Sequence, residues 1–478
     1  MDVPLPLTTR AHTPAVATVL GSIAPDMHTL AAMPEGIPHQ AGHQSGTLRA
    51  RTLRARTLRA RTLRDRVTHF LMVAGPGLIV MVADNDAGAV STYTEAGARF
   101  GTSLLWVLML LIPISYFVQE MVARLGIATG EGLTSIIYER FGVWWGRFCL
   151  VDLLVLNFLT LVTEFAAVSL AAQQLGISPG IAIPVSALGL VLLVGTGSYR
   201  RWERMTLLLC GLNVIWLILA FLVHPNWSAV ALDSIVPTMP RGGLTGELVF
   251  LAVAIVGTTI APWQLFFQQS CVADKRLRFA DLRAARLDTA IGAVAIGVFA
   301  VCMVLIGDAL ARSGGHYDDP AQMAVALEPM IGRAGRVAIL LLMFNAALLG
   351  ATAISLSSAW AWGEVMGWKV TLQARLTEAP GFYSGYAVCV AAAAGVTLVP
   401  GAPLQAIILW VQVLAGIMLP AAIVFLQLLL NDHEMLGIRF INRPWNNVVN
   451  WTIITILFGL SFLLATRALL PTWSIFSF

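Results

Sequence analysis

Long apolar segments, separated by short polar connections, run from about residue 68 to residue 469. A helix that crosses the hydrocarbon core of a bilayer needs ~20 mostly apolar residues, and eleven segments reach that length. The pattern therefore predicts an all-α polytopic membrane protein with eleven transmembrane helices. The predicted spans cover about residues 68–98, 101–123, 146–174, 179–197, 204–223, 245–273, 286–311, 334–364, 381–399, 403–430 and 446–469.

Two of these segments are interrupted. The first span contains ADNDAGA at residues 83–89, which brings two carboxylates into a membrane helix, and the sixth contains GTTIAPWQ at residues 257–264, with a proline in its middle. Acids inside a span are costly and usually mark an ion or substrate path. Gly and Pro interruptions in two separate spans are the best sequence indication of a transporter binding site.

The residues of the two breaks favour binding of a cation. The small residues around Asp86 let the helix unwind, which lipid tolerates only where the backbone lines a cavity or is buried in protein. Pro262 cannot donate a hydrogen bond, so the carbonyl of Thr258, four residues back, is left free, and Gln264 adds an amide oxygen. Such oxygens suit Mg²⁺, Ca²⁺ or Mn²⁺. The alternatives are a plain proline kink and a packed, hydrogen-bonded acid.

Composition supports the membrane class. The 478 residues are 58% hydrophobic and 12% charged, whereas soluble domains carry about 25% charged residues. The cysteine content excludes two further kinds of site. The five cysteines are far apart and show no metal-binding spacing, so neither a zinc site nor a disulfide framework is expected. Neither HExxH nor GxSxG lies within a single predicted span, so we expect no enzyme and no cofactor. We expect one transmembrane transporter domain, residues 67–478, in a monomer.

The N-terminal tail, residues 1–66, lacks a long apolar run and repeats a five-residue unit, TLRAR, from residue 47. A period of five fits neither a helix nor a strand, so we predict a disordered basic tail that contacts anionic lipids and no nucleic acid. A translation start placed too far upstream is the alternative. No apolar core precedes a cleavage site in the tail, so we expect no signal peptide there.

Basic residues are concentrated on the even-numbered connections between the predicted spans. Because Lys and Arg are retained on the cytoplasmic side, we expect a multi-pass protein of the inner (plasma) membrane with its N-terminus in the cytoplasm and its C-terminus outside. The even-numbered connections carry Arg124, Arg140, Arg200, Arg201, Arg204, Lys275, Arg276, Arg278, Arg283, Arg286, Lys369, Arg375, Arg439 and Arg443.

Motifs in four spans resemble those of the NRAMP divalent-metal transporters. The first span carries GPG at 75–77, DAGA at 86–89 and AGA at 96–98, where the family has GPG, Asp-Pro-Gly-Asn and AGA at the same spacing. The second span ends in RLGIATG at 124–130. IAPWQLF at 260–266 falls on the family's Met-Pro-His-Asn motif, and residues 412–420 fall on its tenth-span pattern. The resemblance implies a LeuT-like fold, with two inverted five-helix repeats plus one extra span.

The resemblance also implies an ion site and the way in which this chain departs from it. The family's metal-ligating asparagine is Ala89 here and its methionine is Ala261. A thioether is a soft ligand, so alanine removes the preference for transition metals and enlarges the site, as a partly hydrated Mg²⁺ requires. The pattern resembles the NRAMP-related magnesium transporters, a branch that also carries Mn²⁺. The ligands implied are Asp86, the carbonyls of Ala83 and Thr258, and the amide of Gln412.

Proton coupling is the second departure. Coupled members have a histidine after the sixth-span proline and an Asp three residues before a Glu in the third span. Here these positions are Trp263 and Leu161, with Glu164 retained. We therefore expect a secondary transporter that moves Mg²⁺ and Mn²⁺ by alternating access without protons. A proton-coupled Mn²⁺/Fe²⁺ importer that uses Asp86 and Glu164 is one alternative, and a LeuT-fold symporter for an organic solute is another.

Other polar and aromatic residues receive weaker assignments. Asp84, Asn85, Gln264, Glu164 and Trp263 are expected to line the path or to surround the ligands. Asn157 is expected to hydrogen-bond between helices, and Asp288 to be solvated or paired with a nearby arginine. The tryptophans near span ends are expected to form interfacial belts. These are Trp106, Trp144, Trp145, Trp202, Trp227, Trp368, Trp445 and Trp473.

Overall fold

Helix is the only regular secondary structure in the part of the chain that the structure, a computed structural model, describes: residues 68–240, 243 and 245–469. The predicted tail, residues 1–66, lies outside the described residues. A helical stretch at 68–73 precedes the first labelled helix. The helices are α1 Pro76–Ala83, α2 Ala87–Phe100, α3 Leu105–Thr129, α4 Leu133–Phe141, α5 Val143–Gln174, α6 Pro179–Val194, α7 Tyr199–Leu212, α8 Ile215–Leu222, α9 Trp227–Ile235, α10 Gly246–Thr259, α11 Pro262–Asp274, α12 Leu282–Arg312, α13 Pro320–Ala326, α14 Glu328–Val365, α15 Pro380–Thr397, α16 Leu404–Leu429, α17 His433–Phe440 and α18 Pro444–Leu469.

Seven helical segments of the described residues are long and apolar enough to cross a membrane. The prediction of an all-α polytopic membrane protein is therefore confirmed, whereas the count of eleven spans stays a prediction. The seven segments are Leu105–Thr129, Val143–Gln174, Tyr199–Leu222, Gly246–Asp274, Phe279–Arg312, Glu328–Val365 and Leu404–Leu429.

Both predicted breaks are present. The first span consists of α1 and α2, and residues 84–86 between them are not helical. In the sixth span α10 ends at Thr259 and α11 begins at Pro262. A proline at the first position of a helix costs nothing, because the N–H group there has no intrahelical partner anyway. Pro262 thus ends one helix and starts the next.

Contacts between distant spans hold these helices together. Asn157 of α5 donates to Ser358 Oγ of α14 over 3.0 Å, as expected for a hydrogen bond between helices. Tyr93 of α2 shares a 2.8 Å hydrogen bond with Thr259 at the end of α10. These bonds join the first span to the sixth and the third to the eighth, and the first of them lies at the sixth-span break.

The prediction for Asp288 is wrong. Asp288 is buried in α12, and its Oδ2 accepts the backbone N–H groups of Gly75 over 3.1 Å and of Gly77 over 2.7 Å. The first N–H groups of a helix have no intrahelical acceptor, and here a carboxylate from another span supplies one for the start of α1. Asp288 therefore fixes the start of the first span and is neither solvated nor paired with arginine.

The prediction for Trp202 is also wrong. Its side chain is 0% exposed, and its ring meets those of Tyr199 and Phe267 at centroid distances of 5.5 and 6.1 Å. The face of α7 that carries Trp202 turns toward α11, so the ring is part of the core. Five other tryptophans of the predicted belts are exposed, Trp106 is half-buried, and Trp473 lies outside the described residues. The exposed ones are Trp144, Trp145, Trp227, Trp368 and Trp445.

Candidate ion-binding site

Asp86 is the residue that begins the second half of the first span. It is the N-cap of α2, and its Oδ1 accepts the backbone N–H of Ala89 over 2.9 Å. A carboxylate at this position satisfies an unpaired N–H group and is stabilised by the helix dipole. The side chain is only 2% exposed, so Asp86 is held in a fixed orientation deep in the protein.

Each break leaves one backbone carbonyl free. Ala87 N–H, which would bond to the carbonyl of Ala83 in a continuous helix, donates instead to Glu164 Oε2 over 3.1 Å. The carbonyl of Thr258 faces Pro262, which has no N–H. Within the described residues neither carbonyl accepts a hydrogen bond. The carbonyl of Thr258, which Pro262 predicts to be free, and that of Ala83, which the family resemblance implies as a ligand, are therefore both without a hydrogen bond.

Gln412 of α16 is brought into contact with both breaks. The helices α10 and α16 approach so closely at Gly257 and Gly416 that a Cβ on Gly257 would overlap the carbonyl of Gln412. On the other side, a Cβ on Gly88 would overlap the Gln412 side-chain amide. Glycine at both positions thus lets Gln412 lie between the first and sixth spans.

Glu164 lies beside Asp86. A Cβ placed on Gly350 of α14 would be 2.7 Å from Asp86 Cβ and 2.9 Å from Glu164 Oε1, so this glycine leaves the space that both acids occupy. Glu164 is fully buried and bonds to the backbone of the first break through Ala87. The third span therefore contributes an acid directly to the site.

Asp84 is the end of a side-chain hydrogen-bond chain that crosses both breaks. Gln264 Nε2 donates to Asp84 Oδ1, and Gln264 Oε1 accepts from Gln119 Nε2 over 2.7 Å. The amide oxygen of Gln264, which the sequence offers as a ligand, is thus bonded to α3. Gln119 was missed at the sequence level, although an amide inside the second predicted span was a usable signal. The chain of three side chains fixes the end of α1 against the start of α11.

The positions that depart from the family pattern are all buried. Ala89 and Ala261 contribute only methyl groups, and Ala261 is the residue just before α11. Trp263 is fully buried, and its ring meets Phe267 at 6.0 Å, which in turn meets Trp360 at 5.8 Å. None of the histidines in the described part of the chain lies in the helices that form this site. An aromatic cluster therefore occupies the place of the family's histidine.

Several buried polar atoms of the predicted site residues have no hydrogen-bond partner in the described part of the chain. Buried polar groups in folded proteins nearly always have a hydrogen-bond partner, so those without one in the protein indicate a missing donor or acceptor such as water or an ion. The described residues hold no group of three or more His, Cys, Asp or Glu side chains arranged for a metal. The unpartnered atoms at the site are Asp84 Oδ2, Asn85 Nδ2 and Oδ1, Thr258 Oγ1, Glu164 Oε1 and Gln412 Nε2.

Two cavities of the described residues lie outside the site. One, of about 890 Å³, is lined by Glu95, Arg99 and Asp319 among others. The other, of about 690 Å³, is lined by Glu120 and Arg124 and by residues of α12. Neither lining includes Asp86, which is consistent with its burial. The site is therefore enclosed in this conformation.

Comparison with known proteins assigns the chain to a family. A model of the Natural resistance-associated macrophage protein-like family (Nramp) matches residues 77–467, which is most of the chain. The chain belongs to the NRAMP family. The family consists of metal-ion transporters, so the prediction that the chain is not an enzyme is confirmed.

Individual relatives agree with the NRAMP assignment. The chain is 29% identical over 406 residues to a protein named divalent metal cation transporter MntH 1 from Pseudomonas aeruginosa, covering 81% of this chain and 89% of the relative. It is 26% identical to the protein named divalent metal cation transporter MntH from Klebsiella pneumoniae subsp. pneumoniae, with coverage of 84% and 95%.

Solved structures share the fold of this NRAMP chain. A manganese transporter from Eremococcus coleocola superposes with a TM-score of 0.67 at 23% identity, covering 82% of this chain and 86% of that one. MhsT, solved in complex with L-phenylalanine, superposes with a TM-score of 0.54 at 13% identity, covering 82% and 98%. These likenesses confirm the predicted LeuT-like fold.

Proposed function

We propose that this chain is a secondary transporter of divalent metal cations that carries Mg²⁺ and Mn²⁺ by alternating access and without proton coupling. Relatives along most of its length are named divalent metal cation transporters, which supports the cargo class. The preference for Mg²⁺ and Mn²⁺ and the absence of proton coupling are inferred from this chain's own residues.

The observation that carries the proposal is the donor set around Asp86. The breaks hold a carboxylate at a helix start and two carbonyls free of backbone hydrogen bonds, and Gln412 packs against Gly88 and Gly257 beside them. Ala89 and Ala261 contribute no ligand atom. Mg²⁺ prefers oxygen ligands and gives up its waters reluctantly, so it usually keeps several of them. The unpartnered polar atoms of Asp84, Asn85 and Thr258 are suited to hydrogen-bonding the waters of such an ion.

The residues in place of the proton relay support uncoupled transport. Trp263 and Leu161 are both fully buried and neither can carry a proton at neutral pH. A membrane potential supplies about 2.3 kcal/mol per charge per 100 mV, so roughly twice that for a divalent ion. An inside-negative membrane therefore provides enough driving force for uptake without a proton partner. Glu164 beside Asp86 is the observation that keeps the proton-coupled importer as the second candidate.

The experiment uses the full chain in proteoliposomes with a pH-sensitive dye inside and a potassium diffusion potential set by valinomycin. We expect saturable uptake of Mn²⁺ that Mg²⁺ inhibits, that increases with inside-negative potential and that leaves the internal pH constant. Acidification that tracks Mn²⁺ uptake would establish the proton-coupled candidate instead. Liposomes that contain the Asp86→Ala variant are the control, since they measure the Mn²⁺ and proton leak without transport.

We also infer the membrane orientation. The second, sixth and tenth connections contribute Arg124, Arg286 and Arg443 to one cleft, as expected if these connections share the cytoplasmic side. On this inference Ser313→Cys, in an exposed connection on the opposite side, reacts with an impermeant maleimide in intact cells, whereas Arg278→Cys reacts only after permeabilisation. The reverse labelling pattern would show that the N-terminus lies outside.

We also propose that the protein is a monomer and that its N-terminal tail contacts anionic lipids.

A further inference from the structure

A strongly basic cleft, whose lining includes none of the implied ion ligands, lies where the end of α3 meets the start of α12 and the connection before α18. It has a volume of about 690 Å³, and no feature of the transport site uses it. We call it the arginine cleft. Its charged lining consists of Arg124, Arg283, Arg286, Arg439, Arg443 and Glu120.

The arginine cleft carries a surplus of four formal positive charges, because five arginines face a single glutamate. Both oxygens of Glu120 are already engaged, one by Arg286 over 2.7 Å and the other by Arg124 over 3.3 Å. Arg283, Arg439 and Arg443 have no acidic partner among the residues that the structure describes. Three guanidinium groups are therefore available to bind an anion at the rim of the cleft.

Arg124 gives the cleft a fixed floor. It is buried, and it donates to the carbonyl of Phe440 and to Asn442 Oδ1, each over 2.7 Å. These bonds tie the connection before α18 to the end of α3. The positions of Arg439 and Arg443 follow from that tie, so the cluster is built into the fold.

Aromatic side chains line the same cleft and place it at the level of lipid headgroups. Phe117 and Trp445 meet edge to face at 5.9 Å, and the guanidinium of Arg439 lies 5.8 Å from the centre of the Phe279 ring. Phe279 and Trp445 are about half exposed. Tyr and Trp concentrate at membrane–water interfaces, and the exposed apolar face of α18 begins beside them at Val448.

We propose that the arginine cleft binds the phosphate headgroup of an anionic phospholipid. Guanidinium groups bind phosphate oxygens through paired, charge-assisted hydrogen bonds, and basic pockets between spans are known to accept anionic headgroups. The acyl chains would lie along the exposed face of α18, which includes Val448 and Trp451. A free phosphate offers the same oxygens to the arginines, but it has no acyl chain to contact this apolar face and should therefore bind more weakly.

A bound headgroup should stabilise the folded protein. The bound headgroup would join the end of α3, the start of α12 and the entry to α18, three elements that lie far apart in the sequence. A ligand that binds the folded state raises its stability in proportion to its concentration relative to Kd. The lipid should therefore raise the unfolding temperature of the purified protein.

The test measures thermal unfolding and native mass spectra of the detergent-purified full chain with added phosphatidylglycerol, phosphatidylcholine, inorganic phosphate or pyrophosphate. We expect phosphatidylglycerol alone to raise the midpoint by several degrees and to be retained as a one-to-one complex. An equal shift with phosphatidylcholine would overturn the proposal. So would an equal shift with pyrophosphate or inorganic phosphate, because the site would then belong to a soluble anion.

Matched variants locate the site. Each basic contact near an anionic headgroup counts for roughly a factor of five, so Arg283→Gln, Arg439→Gln and Arg443→Gln together should weaken lipid retention about 100-fold. The control removes the same charge from Arg200, Arg201 and Arg204, which line a separate small pocket of about 430 Å³ without aromatic walls. Retention equal in both triple variants would overturn the assignment. Arg443→Gln alone, at an exposed position, provides the same comparison if the triple variant folds poorly.

Discussion

The backbone N–H of Ala87 donates to Oε2 of Glu164 over 3.1 Å, so an acid of the third predicted span is bonded directly to the break in the first. The bond takes the place of the helical bond that would otherwise engage the carbonyl of Ala83. Glu164 thereby keeps that carbonyl available and holds Asp86 in place. On the proposal of uncoupled transport, Glu164 accepts a hydrogen bond and transfers no proton.

This relationship predicts a difference between two substitutions of Glu164. Glu164→Gln retains an oxygen that can accept from Ala87, so Mn²⁺ uptake should stay within about threefold of the parent. Glu164→Ala leaves a buried N–H unpaired, at a cost of about 1–3 kcal/mol, and uptake should fall about 10-fold or more. Initial rates in proteoliposomes measure both. Equal and severe loss in both variants would mean that the acid itself, and with it a proton, is required.

Substitutions of Asp86 separate ion binding from folding. Asp86→Asn keeps a good N-cap for α2, so the variant should fold and unfold like the parent, while Asp86→Ala also loses the cap at a cost of about 1 kcal/mol. Both variants lose the negative charge and should show no Mn²⁺ binding in isothermal titration. Normal Mn²⁺ affinity in Asp86→Asn would remove the carboxylate from the site.

The sequence predicts those parts of the site that depend on local chemistry. The sequence shows Asp86 in an apolar segment, Pro262 in the middle of a span, and small residues around each. Each of these features predicts an interruption of a transmembrane helix. The likeness of the tenth-span motif added Gln412, which the structure places against both breaks. The geometry of these residues fits the expectation, and their role as ion ligands stays a prediction.

The parts that could not be predicted depend on which helix faces meet. Gln119 and Gln264 are 145 residues apart, and Asp288 is 211 residues from Gly77. Hydrophobic periodicity indicates that a helix exists, but it does not specify which of its turns contacts another span. For the same reason Trp202, near the end of a predicted span, was assigned to the lipid interface and lies in the core.

Ala261 should control the softness of the site. Ala261→Met restores a thioether just before α11, and thioethers favour soft transition metals. We expect the ratio of Cd²⁺ to Mg²⁺ affinity, measured by titration calorimetry, to rise about 10-fold or more. Ala261→Leu is the matched control, since it adds similar bulk without sulfur and should leave the ratio unchanged. A similar increase with leucine would attribute the effect to size.

Asp288 should control how firmly the start of the first span is held. Its Oδ2 accepts from Gly75 and Gly77, and the neighbouring Lys275 donates to the carbonyl of Ala74 over 2.8 Å and to Glu203 over 2.6 Å. Hydrogen bonds to a buried charge are worth about 1.5–3 kcal/mol each, so Asp288→Ala frees the N-terminal end of α1 from α12.

Hydrogen exchange measures this release directly. In Asp288→Ala the amides at the start of α1 should exchange at least about 10-fold faster, because local opening there loses one or more such bonds, while those of α16 should keep the parent rate. In Asp288→Asn, which keeps one acceptor oxygen, the exchange rate at the start of α1 should lie between those of the parent and of Asp288→Ala. Because α1 ends next to Asp86, faster opening of its start also exposes the ion site more often. Unchanged exchange at the start of α1 would show that Lys275 and Glu203 hold it without Asp288.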